Sequence, residues 1–239
     1  MEDNKETKGS LSGTKSAVKA KRDGLQQLIY AIINPAVRAM IKMGFTPNIV
    51  TTIGFIGNLA AAAVLCCAGY MATPLDYQYG MVTLSGILII VFSLFDMLDG
   101  QVARLGNMAS TYGAMYDSVL DRYCEMFTLG GISYYMIMTG HPTGALITFI
   151  ALVGSLMVSY VRARAEGLGI ECKIGFMQRP ERVVVTAVAA MSCGITGQCM
   201  GGGFDATVIL SVAMGIIAVF ANLTAIARLN HCRRKMTRQ

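Results

Sequence analysis

Long apolar runs separated by short polar breaks dominate the chain. A membrane-crossing helix needs about 20 mostly apolar residues. Six windows meet that requirement, at residues 48–70, 80–103, 111–138, 143–165, 182–200 and 206–229. The third is interrupted by Asp117, Asp121, Arg122 and Glu125, so hydropathy alone ranks it lowest. Ahead of these runs the pattern is different. Leu25, Leu28, Ile29, Ile32, Ala36 and Met40 recur at helical spacing while Arg38 and Lys42 fall on other faces. Asn34-Pro35 is a helix-start signal within that stretch. An amphipathic helix at the membrane surface fits residues 25–44. The expectation is an all-α integral membrane protein: six transmembrane helices plus an N-terminal amphipathic interfacial helix.

Composition strengthens the membrane reading, and charge gives it a direction. The chain of 239 residues is 54% hydrophobic and only 14% charged, with mean hydropathy +0.53; soluble domains carry about 25% charged residues. The three loops opposite the termini, near 71–79, 139–142 and 201–205, contain no lysine or arginine, and all 20 basic residues lie on the other side. Both termini are then expected to face the cytoplasm. The net charge of +6 is a topology signal that suits anionic head groups, not nucleic acid. Residues 1–24 are polar and lysine-rich without the apolar core of a secretory signal, and are read as a disordered cytoplasmic tail. Residues 45–230 form one membrane domain, and 231–239 a basic cytoplasmic tail. The seven cysteines show no metal-ligand spacing, and Cys193 and Cys199 lie toward the outer face, open to oxidation. His141 and His231 fall outside any acidic cluster.

One stretch carries chemistry. Residues 96–121 read DMLDGQVARLGNMASTYGAMYDSVLD, with Asp96, Asp99, Asp117 and Asp121 at the edge of two very apolar runs. An aspartate at a helix centre in lipid costs about 2.5–3.5 kcal/mol, so four unpaired ones would oppose insertion by about 10–14. Arg104 is the only arginine inside the stretch, with Arg122 just after it. The expectation is that the protein's own side chains do not neutralise the cluster and that bound divalent cations do. Residues three and four apart share a helix face. Asp96, Asp99, Gly100 and Ala103 therefore form one stripe, and Gly113, Asp117 and Asp121 another, joined by the turn-like LGNMAST. Carboxylate oxygens suit hard cations such as Mg²⁺ or Mn²⁺. Small neighbours leave room for a bulky ligand.

These residues fit D-x2-D-G-x2-A-R-x8-G-x3-D-x3-D without a gap or substitution. The pattern closely resembles the signature of the CDP-alcohol phosphotransferases, membrane enzymes of phospholipid synthesis. The resemblance implies transfer of a phosphatidyl group from CDP-diacylglycerol to an alcohol with release of CMP, two divalent ions, and a homodimer. It implies Asp96, Asp99, Asp117 and Asp121 as metal ligands, with Asp121 also accepting the proton of the acceptor hydroxyl. It places Asp99, Gly100, Ala103, Arg104 and Gly113 around the CDP group, together with Asn48 and Thr51 of a TPN-x-x-T element that by itself reads as a turn and helix cap.

Further on, SYVRARAE at residues 159–166 and QRPER at 178–182 look like the SY-x-KARAE and ERPER stretches of the family's phosphatidylinositol phosphate synthase branch. Arg162 stands where that branch has lysine, and Gln178 where it has glutamate. The resemblance implies Ser159, Arg162, Arg164, Arg179, Arg182 and Arg228 as contacts for an acceptor phosphate, since guanidinium forks bind phosphate bidentately. Composition alone would make these arginines cytoplasmic anchors. Glu125 is read as a partner of Arg122. The leading acceptor is myo-inositol 1-phosphate, with glycerol 3-phosphate and free inositol as alternatives. The arginine-bearing stretches resemble bacterial ones, which implies a bacterial inner membrane. A divalent-cation transporter is the rival from another class, but transporters place such acids near the midplane, often on internal repeats, and no repeat is evident.

Overall fold

The computed structural model describes residues 33–200 and 204–237. Those residues are helical apart from short connectors and one isolated bridge between Thr73 and Asp76. Residues 33–42 form the described part of α1. It is followed by α2 (Pro47–Met71), α3 (Tyr79–Ser93), α4 (Phe95–Leu105), α5 (Thr111–Met138), α6 (Pro142–Glu166), α7 (Arg179–Met200) and α8 (Thr207–Met236). Only Leu94 separates α3 from α4, and the two count as one run of 27 residues. Five segments are long and apolar enough to cross a membrane: α2, α3–α4, α6, α7 and α8. The remaining long helix, α5, coincides with the predicted third window but carries four charged residues between Asp117 and Glu125.

Small residues make the bundle. The buried side of α2 reads Gly54, Gly57, Asn58, Ala61, Ala62, Leu65, Ala68 and Gly69, with steps of three and four. Such stripes let helix backbones approach closely in lipid, where van der Waals packing replaces the hydrophobic drive. Accordingly α2 packs on α3, α4 and α5, while α3 pairs with α7 and α6 with α8. The main core joins Leu65, Ile132, Tyr135, Met136, Leu210, Met214 and Ile217, all fully buried.

The three connectors without basic residues are tied together at one end. Tyr135 donates its hydroxyl to Tyr77 O at 2.9 Å. His141 Nε2 meets Asp205 Oδ2 at 2.5 Å. Burial raises the Asp205 carboxyl, but hydrogen bonds from Thr207 and His141 outweigh it and hold that carboxyl below the usual carboxylate range. All seven cysteines are free thiols. Cys193 is buried while Cys199 is exposed.

Three sequence expectations need correction or lie out of view. Residues 1–24 and 25–32 fall outside the described residues. Within α1 the inward stripe is Ile33, Val37, Met40 and Ile41, with Ala36 exposed. Of the two expected positions that are described, Met40 lies on this stripe and Ala36 does not, and the stripe packs on Val50 of α2 and Val102 of α4. Of the basic tail expected at 231–239, residues 231–236 continue α8 to Met236. Arg233, Arg234 and Lys235 in its last turn suit the negative end of the helix dipole.

Gly194 tests this packing. A Cβ there would lie 2.1 Å from Thr83 Oγ1 and 2.5 Å from Tyr79 O. Gly194→Leu should force α3 and α7 apart and destabilise the protein by about 1–3 kcal/mol or more. The check is a lowered thermal unfolding midpoint in detergent.

Candidate active site

Local chemistry sets the walls of the site. Thr46 caps α2, accepting from Ile49 N at 3.4 Å with Pro47 in the first turn. The cap points Asn48 and Thr51 toward the neighbouring helices. Ser110 caps α5, accepting from Gly113 N at 3.0 Å, so the predicted turn before α5 is present. Thr51, one turn into α2, donates to Asp99 Oδ2 at 2.6 Å. A hydrogen bond to a charged group contributes about 1.5–3 kcal/mol, and Asp99 is only 5% exposed.

A cavity of about 240 Å³ opens between α2, α4 and the start of α5. Asn48, Thr51, Asp99, Gly100, Ala103, Arg104 and Gly113 all line it, and so does Asp117. The seven residues expected around the CDP group are thus brought together. Gly113 is the close approach in that wall, because a Cβ there would come within 3.3 Å of Asn48 Oδ1.

A second cavity, of about 860 Å³, lies beyond the carboxylates. Ser159, Arg162, Arg179, Arg182 and Arg228 line it, together with Asp121, Glu125 and Gln178. Arg164 does not. Two residues beyond Arg162, it points about 200° round α6 and is exposed. Arg162 pairs with Glu166 at 2.9 Å, one helical turn on. Arg228 is 2% exposed and donates to Ile174 O and Val158 O, both at 2.7 Å.

Arg179 and Arg182 depart most from expectation. Arg179 Nη1 lies 2.7 Å from Asp96 Oδ2, and its Nη2 lies 2.8 Å from Asp121 Oδ1. A side chain of this protein therefore does enter the aspartate cluster, contrary to the sequence reading. It comes from 83 residues beyond Asp96, so no local pattern could reveal it. Arg179 Nε is buried without a hydrogen-bond partner among the described residues. Arg182 is 2% exposed and grips Glu125 with both prongs, at 2.6 and 2.9 Å, while its Nη1 donates to Met177 O. Any phosphate contact by Arg182 competes with that buried pair. Glu125 is thus the partner of Arg182, and Arg122 turns back to Ser118 O instead.

The acidic set can be weighed against the divalent cations that it was expected to hold. Four carboxylates and one guanidinium leave a formal charge of three negative among them. Among the described residues Asp117 makes no ion pair, and the side chain bonded to Asp99 is the neutral hydroxyl of Thr51. Among the described residues no three metal-binding side chains converge on a single point, and Asp96 and Asp121 are turned to Arg179. Hard oxygen donors with excess negative charge fit Mg²⁺ or Mn²⁺ in kind.

The comparisons with known proteins bear on this geometry. The family model described as CDP-alcohol phosphatidyltransferase matches residues 45–227. A phosphatidylinositol phosphate synthase of Mycobacteroides abscessus is 30% identical over 204 residues, covering 85% of this chain and 84% of the relative. Two crystal structures of the Mycobacterium tuberculosis phosphatidylinositol phosphate synthase are also similar. One, in complex with manganese and citrate, has TM-score 0.71 and 28% identity, covering 83% of this chain and 87% of that one. The other, with CDP-DAG bound, has TM-score 0.70 and 29% identity, covering 84% and 94%.

The buried pair yields a prediction. Arg182→Ala strands Glu125 and should cost about 3–5 kcal/mol of stability. Arg182→Met combined with Glu125→Leu should recover most of that loss. Thermal unfolding of the purified single and double variants checks both expectations.

Proposed function

This chain belongs to the CDP-alcohol phosphatidyltransferase family, and on that premise we propose that it transfers a phosphatidyl group from CDP-diacylglycerol to myo-inositol 1-phosphate, giving phosphatidylinositol phosphate and CMP. One observation carries the reading. The acidic residues stand between two cavities of different chemistry, Asp99 and Asp117 facing the one with the CDP-type lining and Asp121 facing the one lined by arginines.

The roles follow from that division. Asn48, Thr51, Gly100, Ala103, Arg104 and Gly113 surround the nucleotide, and the diacylglycerol tails stay in the bilayer. Ser159, Arg162, Arg179 and Arg228 supply donors for the acceptor phosphate, which places the sugar hydroxyl beside Asp121. Asp121 takes the hydroxyl proton as that oxygen attacks the phosphatidyl phosphorus, and the bond from phosphorus to the CMP oxygen breaks. Asp96, Asp99, Asp117 and Asp121 would hold two Mg²⁺ or Mn²⁺ ions, which when bound stabilise charge on the attacking and leaving oxygens of an in-line displacement. The rest of the catalysis is positioning and electrostatics.

The membrane arrangement belongs to the same proposal. With α5 counted, six spans alternate across a bacterial inner membrane. The basic ends of α6, α7 and α8 then face the cytoplasm by the positive-inside rule, and the site opens there. The described part of α1, residues 33–42, lies at the interface with Arg38 and Lys42 outward, residues 45–230 are the catalytic membrane domain, and 1–24 and 231–239 are cytoplasmic ends. The family resemblance also supports a homodimer.

The deciding experiment is CMP release from CDP-diacylglycerol by purified protein, with inositol 1-phosphate, glycerol 3-phosphate and free inositol compared. Activity is expected with inositol 1-phosphate, and silence with that acceptor alone would reassign the substrate. Excess EDTA should abolish release, and added Mn²⁺ or Mg²⁺ should restore it; indifference to chelation would remove the metal assignment. Asp121→Asn should lower kcat by about 10²–10⁴-fold, the usual contribution of a general base, while binding of CDP-diacylglycerol persists in equilibrium measurements.

A further inference from the structure

We infer that Arg179 is a displaceable counter-ion that couples metal loading to acceptor binding; the inference rests on the enzymatic reading above and adds a regulatory step to it. The guanidinium draws on two oxygens, Asp96 Oδ2 and Asp121 Oδ1, one through each terminal nitrogen. Those two carboxylates are also proposed metal ligands. A divalent cation binds carboxylate oxygen at about 2.0–2.6 Å, closer than the 2.7 and 2.8 Å of the arginine contacts. The two cations cannot share the same oxygens without strong repulsion. Metal and Arg179 therefore compete for Asp96 and Asp121.

Three features make the arginine the partner that yields. It straddles two carboxylates on different helices, so turning either away breaks half of its pairing. Its buried Nε has no hydrogen bond among the described residues, so the present pose leaves one donor unmet there. And the side chain lines the 860 Å³ cavity, where Ser159, Arg162 and Arg228 also face. Displaced from the aspartates, the guanidinium has an anion-binding volume beside it. One rotation then hands the carboxylates to the metal and a positive fork to an acceptor phosphate. By linkage, each ligand strengthens the other's binding by the same factor.

The test is Mn²⁺ titration of the purified full chain, followed by the EPR signal of free Mn²⁺, with and without inositol 1-phosphate and without turnover. Arg179→Gln is expected to bind Mn²⁺ about tenfold more tightly than wild type, equivalent to about 1.4 kcal/mol. In wild type, inositol 1-phosphate should tighten Mn²⁺ by about fivefold or more, within the usual range of coupling, and this gain should vanish in Arg179→Gln. Arg162→Gln, which lines the same cavity but pairs with Glu166, should keep the wild-type Mn²⁺ affinity measured without acceptor. If Arg179→Gln does not fold, Arg179→Met decides, because it keeps much of the side-chain length without the charge and should also tighten Mn²⁺. Equal or weaker Mn²⁺ binding in the Arg179 variant that folds overturns the inference, as does a wild type whose Mn²⁺ affinity ignores the acceptor. A wild type that binds no Mn²⁺ sinks both the metal assignment and the inference. Mn²⁺ behaviour as expected without any CMP release leaves the coupling standing and removes the proposed reaction.

Discussion

Acidic side chains inside an apolar helix bundle must be matched by positive charge or hydrogen-bond donors, and the inner end of this protein is arranged around that demand. Asp96, Asp99, Asp117, Asp121 and Glu125 project from α4 and α5 into space shared with α2 and α7. Thr51 answers Asp99, Arg179 answers Asp96 and Asp121, and Arg182 answers Glu125. Only the last pair is closed, two prongs on one buried carboxylate at the edge of the larger cavity. The others leave net negative charge facing two cavities. In a bundle that has the means to close such a pair, excess charge held beside open space points to ligands that bring the missing positive charge.

Packing makes those distant matches possible. Thr51 and Asp99 are 48 residues apart, and Arg182 and Glu125 are 57 apart. Such pairs meet only if helices approach closely and in one register. Gly54 of α2 provides one such approach, since a Cβ there would meet Phe95 Cβ at 3.1 Å and Asp96 Oδ1 at 3.5 Å. Van der Waals contact with α2 therefore sets the height of Asp96, and the charges act on a frame that packing has already placed. This is how a helix with little polar content of its own comes to govern an electrostatic site.

What could be read from the sequence follows from range. The α2 cap at Thr46, the turn before α5 and the shared wall of Asn48, Gly100 and Gly113 rest on local patterns or on a motif with fixed gaps, and each is present in the structure. On α1 the expected Met40 faces inward but Val37 stands in place of the expected Ala36, because tertiary contact with Val50 and Val102 selects the face. The partners of Arg179, Arg182 and Glu125 were not legible at all. Glu125 lies three residues from Arg122, and helical spacing favours that pair. The structure prefers Arg182 because a fork arriving from another helix meets both carboxylate oxygens in its plane, a geometry that a neighbour on the same helix reaches less well. Arg164 shows the converse: a basic residue within a matching stretch can still point away from the cavity that the stretch lines.

Arg179 and Arg182 are one helical turn apart on α7, yet their surroundings give them opposite mechanical characters. Arg182 spends both prongs on one carboxylate, lends Nη1 to a backbone carbonyl, and is 2% exposed. Removing it means abandoning a buried charge, which is strongly unfavourable. Arg179 divides its prongs between two carboxylates, keeps Nε unmet, and has a side chain 22% exposed at the edge of a large cavity. A cation that takes both carboxylates leaves no acid stranded when Arg179 departs. The same residue type therefore serves as a fixed strut below the site and as a removable charge within it. The difference comes from how many carboxylates each fork must satisfy, not from any difference in the guanidinium itself.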